Sequence, residues 1–512
     1  MIQMKNILLF LFCFPLSIMY AQPKFTVADV FTDNMVLQRD AKVRIWGKAT
    51  NGEKIQLLFN GQHKQCLSLN GQWEITLDPM AYGGPYEMKI RLDGDTVTFK
   101  NVLVGDVWLA GGQSNMEWTM RRVKDATSQI ADADYPEIRY YKAPRVFYSS
   151  HQVPKGDWRV CSSVTVPEFS AIAYYFARNV YKEIGVPIGI IQCPVGGTTI
   201  EAWMSRETLL ADKRHKPIIE NYDSIVSSYG TRYEALYTEW ENNKAIYDQA
   251  TKEQQRKLKN PVEPMGERNF RRPTGVYENM LRPLMPYTLK GFIFYQGESN
   301  TGRGEQYQTL FPAMIKEWRK GWRQGDIPFL FIQLPKFNTK SREWAELRDA
   351  QYLTAQKVKN CGMVVAYDQG DPRNIHPWVK DTVGWRLSSL ALGQVYKRRK
   401  VYSGPELKKY SVKNDEVILT FLHVGSGLVA KDGEKEIKGF TMAGKDERFY
   451  PAKALIVNEN TIKLTVEEVD KPLYVRYAWA NSIEINLFNK EGFPAVPFRT
   501  DKLELVSKGI WK

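Results

Sequence analysis

Val102-Leu-Val-Gly-Asp-Val-Trp-Leu-Ala110, a largely apolar run, leads straight into Gly111-Gly-Gln-Ser-Asn-Met116. A buried strand, a glycine pair and the start of a helix are what these residues predict. That layout sets Ser114 on a tight strand-to-helix turn, its hydroxyl above the edge of a sheet. The helix N-terminus beside it offers free backbone N–H groups that can stabilise an oxyanion. Such a serine can act as an acyl-transfer nucleophile, which makes the chain an esterase candidate. A glycine-flanked serine after a strand is also a common ordinary turn, so the reading depends on what else reaches the same sheet edge.

Further apolar strands are expected at Ile188–Cys193, Gly291–Tyr295, Phe329–Leu334 and Met363–Tyr367. Helical patterns lie between them. Phe169, Ile172, Ala173, Phe176, Val180 and Ile184 recur at helical spacing, and Leu310–Trp322 and Trp344–Val358 behave likewise. Continuous apolar strands alternating with amphipathic helices predict an α/β fold, a parallel sheet covered on both faces. Ligands in such folds bind at the carboxyl ends of the strands.

The ends of the chain differ from the middle. Residues 24–100 alternate short strands (Val43–Trp46, Ile55–Phe59, Trp73–Leu77, Glu87–Leu92) with Asn-Gly and Asp-Gly turn signals. The stretch 401–512 has the same character, with Val417–Leu422, Ala454–Val457, Ile462–Val466 and Leu473–Trp479. The expected organisation is a signal peptide over 1–21, an N-terminal β domain over 22–100, a catalytic domain over 101–400 and a C-terminal β domain over 401–512. Both β domains are expected to be sandwich-like. Residues 206–275, charged and helix-prone, read as an insertion beside the site.

Lys5, the apolar run Ile7–Leu16 and the small Ala21 form the export signal, and the run is too short to span a bilayer. Export to a periplasm or the medium, with a signal of bacterial type, is therefore expected. The formal charge is +14, one less once Lys5 leaves. The basic clusters Arg271-Arg272 and Lys397–Lys400 are separated and carry no nucleic-acid motif, so they read as solvated surface. Cys66, Cys161, Cys193 and Cys361 are too widely spaced for a zinc site or a small disulfide framework. Aromatic residues make up 12% of the chain, which suits sugar stacking and β-sheet cores alike.

A serine nucleophile needs a base within hydrogen-bond reach. His63 and His423 lie in the β regions, His215 in the insertion and His151 in a polar loop. His376 alone follows a core strand, in Asp368-Gln-Gly-Asp-Pro-Arg-Asn-Ile-His-Pro377, and is the expected base. Two more loops end strands on that edge. Gly196-Gly197-Thr198-Thr199 can bring a backbone N–H close to a substrate, and Gln296-Gly297-Glu298-Ser299-Asn300 brings amide donors. With the Ser114 N–H they would make a three-part oxyanion hole from Gly196 or Gly197 and from Gln296 or Asn300.

These blocks resemble the SGNH-hydrolase superfamily and, within it, the sialate O-acetylesterases and related carbohydrate acetylesterases. Gly112–Met116 is similar to the nucleophile block, Gly196–Thr198 to the second, Tyr295–Asn300 to the third and Ile375-His376-Pro377 to the last. The likeness continues through Val475–Trp479 and Gly492–Asp501. It implies removal of O-acetyl groups from a sugar or glycan, most simply a sialate, with acetylated xylan as the alternative substrate. No metal or organic cofactor is implied. The superfamily usually has an Asp three residues before the histidine, where this chain has Arg373. The orienting acid is then expected at Asp371, with Asp368 or a backbone carbonyl as alternatives. A sialate site also needs a cation, for which Arg373 or Arg348 could serve, and Glu298 is a further substrate-binding candidate. A non-catalytic glycan-binding protein is the competing class. It would need neither the Ser–His pair nor the oxyanion loops.

Overall fold

Strand Asp95–Gly112 organises the molecule. The structure, a computed structural model, describes residues 25–148, 154–339 and 343–511; the expected signal peptide and His151 lie outside them. From Val102 onward the strand is almost wholly buried, as a central strand covered on both faces must be. Ile188–Gln192 and Gly291–Tyr295 pair with it in parallel on either side. Phe329–Ile332 and Cys361–Val364 extend the parallel ladder one way, and Asp134–Lys142 extends it the other. An antiparallel edge strand, Trp158–Ser162, makes the sheet mixed rather than purely parallel.

Side-chain alternation shows how the faces are covered. Trp108 packs edge-on against Phe176 of helix Ala171–Ile184. Gly111, three residues on and therefore on the opposite face, lies beneath Trp318 of helix Gly304–Trp322. Helix Asp381–Gln394 joins the first layer and Trp344–Lys357 the second. Ser170 caps Ala171–Ile184 by accepting from the Ala173 N–H, which is why the helix starts two residues after the periodic pattern does.

The same strand also belongs to the amino-terminal sheets. Its first half pairs with Gly83–Leu92, and Val36–Gln38 lies parallel to its middle. The boundary expected between residues 100 and 101 therefore falls inside a continuous strand. Phe25–Val27, Val43–Ala49 and Gln72–Leu77 make a separate three-stranded sheet. In the insertion, helices Arg206–Ala211, Lys216–Tyr229, Tyr233–Gln249 and Lys252–Lys257 lead into a non-helical return at 258–274. Beyond residue 400, two four-stranded sheets and a strand pair enclose a second core, to which Val365 and Tyr367 contribute. No helix among the described residues is long and apolar enough to cross a membrane.

Candidate active site

Gly112 ends the central strand at φ +124°, and a Cβ there would overlap the Tyr295 carbonyl oxygen, so glycine is required. Gln113 donates its N–H to that same carbonyl at 2.9 Å, and one helical turn, Ser114–Glu117, follows. As the first residue of that turn, Ser114 has an N–H with no intrahelical acceptor. Its Oγ lies 2.7 Å from Nε2 of His376. The imidazole stacks on Trp118, ring centroids 5.5 Å apart and planes 23° from parallel. Asn374 Oδ1 accepts the His376 backbone N–H at 2.9 Å and fixes the approach of the loop.

Neither candidate acid meets the imidazole. Asp371 Oδ1 accepts from the Arg373 N–H at 2.8 Å, as an aspartate capping its own turn does. Asp368 is held by both terminal nitrogens of Arg386, at 2.6 and 2.8 Å. Among the described residues Ser114 is the hydrogen-bond partner of the His376 ring, and no carboxylate acts as a third member.

The two loops read as oxyanion donors lie beside the serine turn, and their N–H groups are engaged within the protein. The Gly196 N–H donates to Glu117 Oε2 at 2.8 Å, while Oε1 of Glu117 takes a 2.9 Å bond from Arg145. Gly197, at φ +76°, continues the loop. The Gln296 amide donates to Thr198 O and to Asn300 Oδ1, which uses both of its N–H groups. Asn300 donates to Glu201 and accepts from the Ile200 N–H. These two side chains tie the second and third loops together beneath the site. Glu298 is buried there as well, its Oε1 accepting from Asn115 at 2.6 Å, and so does not line a substrate surface.

Residues 104–237 and 234–384, together more than half the chain, match the family model described as carbohydrate esterase, sialic acid-specific acetylesterase. The chain belongs to this family. Sialate O-acetylesterases of Mus musculus and Homo sapiens are each 27% identical to it over 501 residues, covering 89% of this chain and 89% and 87% of theirs. A solved carbohydrate acetylesterase from Xanthomonas citri is 32% identical, covers 94% of this chain and all of its own, and superposes with a TM-score of 0.78. The protein is a carbohydrate esterase with a mixed α/β fold and a β-rich carboxyl-terminal part.

Several residues of the esterase's site escaped sequence reasoning. Lys380, only 2% exposed, donates to Asn115 Oδ1 at 2.6 Å. Asn115 in turn donates to Glu298 and, at 3.0 Å, to the Ile375 carbonyl, so it links the serine turn, the third loop and the histidine loop. Burial pushes the Lys380 ammonium down to about 7 and the Glu298 carboxyl up. Arg122 lies over the Trp118 ring at 3.8 Å. Burial, then Lys380, then Arg122 hold the His376 pKa below its ordinary value, which keeps the imidazole neutral. Only the spacing of Trp118 and Lys380, each four residues past a reactive residue, could have hinted at them. Of the two cations proposed for a carboxylate, Arg373 is exposed on the histidine loop. Arg348 is buried, with Nη2 donating to the carbonyls of Ala478 and Ala480, and is a structural clamp.

Proposed function

We propose that this carbohydrate esterase is a sialate O-acetylesterase of SGNH type that works through a Ser114–His376 dyad. The observation that carries the mechanism is the 2.7 Å approach of Ser114 Oγ to His376 Nε2 at the carboxyl edge of the sheet. Neutral His376 takes the hydroxyl proton as Ser114 Oγ bonds to the acetyl carbonyl carbon. The negative oxygen is received by the Ser114 N–H and by the Gly196 N–H, once Glu117 yields that hydrogen bond, with Gly197 adjoining. Collapse breaks the ester C–O bond, and the sugar oxygen leaves with the proton from His376. Water, deprotonated by His376, then attacks the acetyl-enzyme, releasing acetate and restoring Ser114. Stacking on Trp118 and the pinned loop backbone orient the imidazole in place of an acid.

The sialate assignment is supported by the family description and by the curated relatives. The test is acetate release from 9-O-acetylated sialic acid and from acetylated xylo-oligosaccharides in parallel, with Ser114→Ala as the blank. Release from the sialic acid that is lost in the variant is expected. Preference for the xylo-oligosaccharides would move the enzyme to plant-polysaccharide deacetylation. Full turnover by Ser114→Ala would remove the serine mechanism.

A further inference from the structure

The return segment of the insertion reaches the oxyanion loop. Built on Gly197, a Cβ would lie 3.5 Å from the Phe270 ring, 3.6 Å from Nη2 of Arg271 and 3.7 Å from its Nε. Gly196, the preceding residue, is placed so that its own Cβ would sit 3.2 Å from Cβ of Ser114. Adding one Cα–Cα step and the two Cα–Cβ bonds keeps the Arg271 guanidinium within about 14 Å of Ser114.

The backbone around Arg271 is fixed, while its side chain meets the Phe270 ring and the field of Glu263 without a hydrogen-bonded partner among the described residues. Its N–H donates to Oδ1 of buried Asn269 at 2.8 Å, and Asn269 is itself tied to the carbonyls of Glu263 and Pro264. Arg272 binds Phe147 O, Glu267 O, Thr274 Oγ1 and Glu278, so it is structurally committed. Thr274 adopts φ +69°, a strained conformation for a β-branched residue, and donates its N–H to Glu201 O at 2.9 Å. Glu201 carries Asn300, so the anchor runs into the floor of the site. Arg271, by contrast, is exposed, and among the described residues its guanidinium makes neither an ion pair nor a hydrogen bond. It lies over the Phe270 ring, which in turn meets Phe147. An exposed guanidinium with its N–H groups uncommitted, on a pinned backbone, can take a carboxylate through two parallel N–H···O bonds.

We infer that Arg271 is the specificity-determining cation of this esterase, binding the carboxylate of an acidic O-acetylated sugar while Phe270 supports the apolar face of its ring. The inference rests on the sialate reading above. It gives the insertion a role in choosing substrate, and it moves the carboxylate contact from the histidine loop to the far side of the oxyanion loop.

The experiment compares kcat and KM for 9-O-acetylated sialic acid and for acetylated xylo-oligosaccharides in the wild type, Arg271→Ala, Arg271→Lys and Arg373→Ala. Thermal melts confirm that each variant is folded. In Arg271→Ala the ratio of kcat/KM for the acidic over the neutral substrate is expected to fall at least about tenfold, mostly through KM. Arg271→Lys should recover part of it, because a point charge replaces a bidentate fork. An unchanged ratio in Arg271→Ala, or the same loss in Arg373→Ala alone, overturns the assignment while leaving the sialate reading intact. A wild type inactive on the acidic sugar but active on the neutral one removes the sialate reading itself, and the role of Arg271 with it.

Discussion

Lys380 and His376 both pack against the Trp118 ring, and the charge of the first acts on the titration of the second. In the proposed mechanism His376 must be neutral to accept the serine proton, so activity is expected to rise with pH through its folded-state pKa, which lies below the ordinary imidazole value. Lys380→Met removes a positive neighbour, letting that pKa rise, and the acid limb of kcat/KM should move to higher pH. A limb that stays in place, read from a pH–rate profile, would show that Lys380 has no electrostatic role. The same variant leaves the buried Asn115 Oδ1 without its donor, a cost of about 1–3 kcal/mol in urea unfolding. Lys380 also has a depressed pKa, so its stability contribution is full above the ordinary lysine value and is lost as pH falls towards 7. That slope should be absent in Lys380→Met. None of this was visible in the chain. The meeting of Ser114 and His376 at one sheet edge was legible because both follow core strands, Ser114 directly and His376 by way of a loop, whereas the turn at Asp371 absorbs its own aspartate, a choice made by backbone geometry and not by composition.

At the scale of elements, the two glycine turns do different work. Gly112→Ala drives a Cβ into the Tyr295 carbonyl in a left-handed conformation, with strand Gly291–Tyr295 unable to give way. The loss should exceed about 4 kcal/mol, read as a large drop in denaturation midpoint or as insoluble protein. Gly196→Ala instead meets Glu117 Oε2 at 2.8 Å and Ser114 Cβ at 3.2 Å, contacts a loop can relieve by moving off the serine. The fold should persist while kcat falls roughly 10²–10³-fold, the usual effect of removing an oxyanion donor. A wild-type kcat would mean that Gly196 is not a donor. The strands carrying these turns were readable from their unbroken apolar runs. Asp134–Lys142 was not, because its first half is exposed and only Ile138–Tyr141 is buried. Its partner Trp158–Ser162 alternates weakly for the same reason, since edge strands lack the pattern of a covered sheet.

At the scale of the molecule, the carboxyl-terminal sheets hold the loop that carries His376. The Phe337 N–H donates to Asn481 O, and the Asn338 N–H reaches Pro372 O, four residues before His376. Tyr367 OH accepts the Ile483 N–H at 2.9 Å, and Arg348 clasps the carbonyls of Ala478 and Ala480 from below. Val365 and Tyr367 are buried in the carboxyl-terminal core although they belong to the segment leading into the histidine loop. Removing residues 401–512 would expose that apolar surface and release the loop from one side. We therefore expect the truncated chain to lose at least about a hundredfold in kcat/KM, through misplacement of His376 by an ångström or so. Tyr367→Phe is the milder version. It deletes one buried acceptor and should cost about 1–3 kcal/mol of stability, with a smaller fall in kcat. If the truncated chain instead kept wild-type kcat/KM towards a small acetyl ester, the dyad would be self-sufficient and the bracing contacts would serve stability alone.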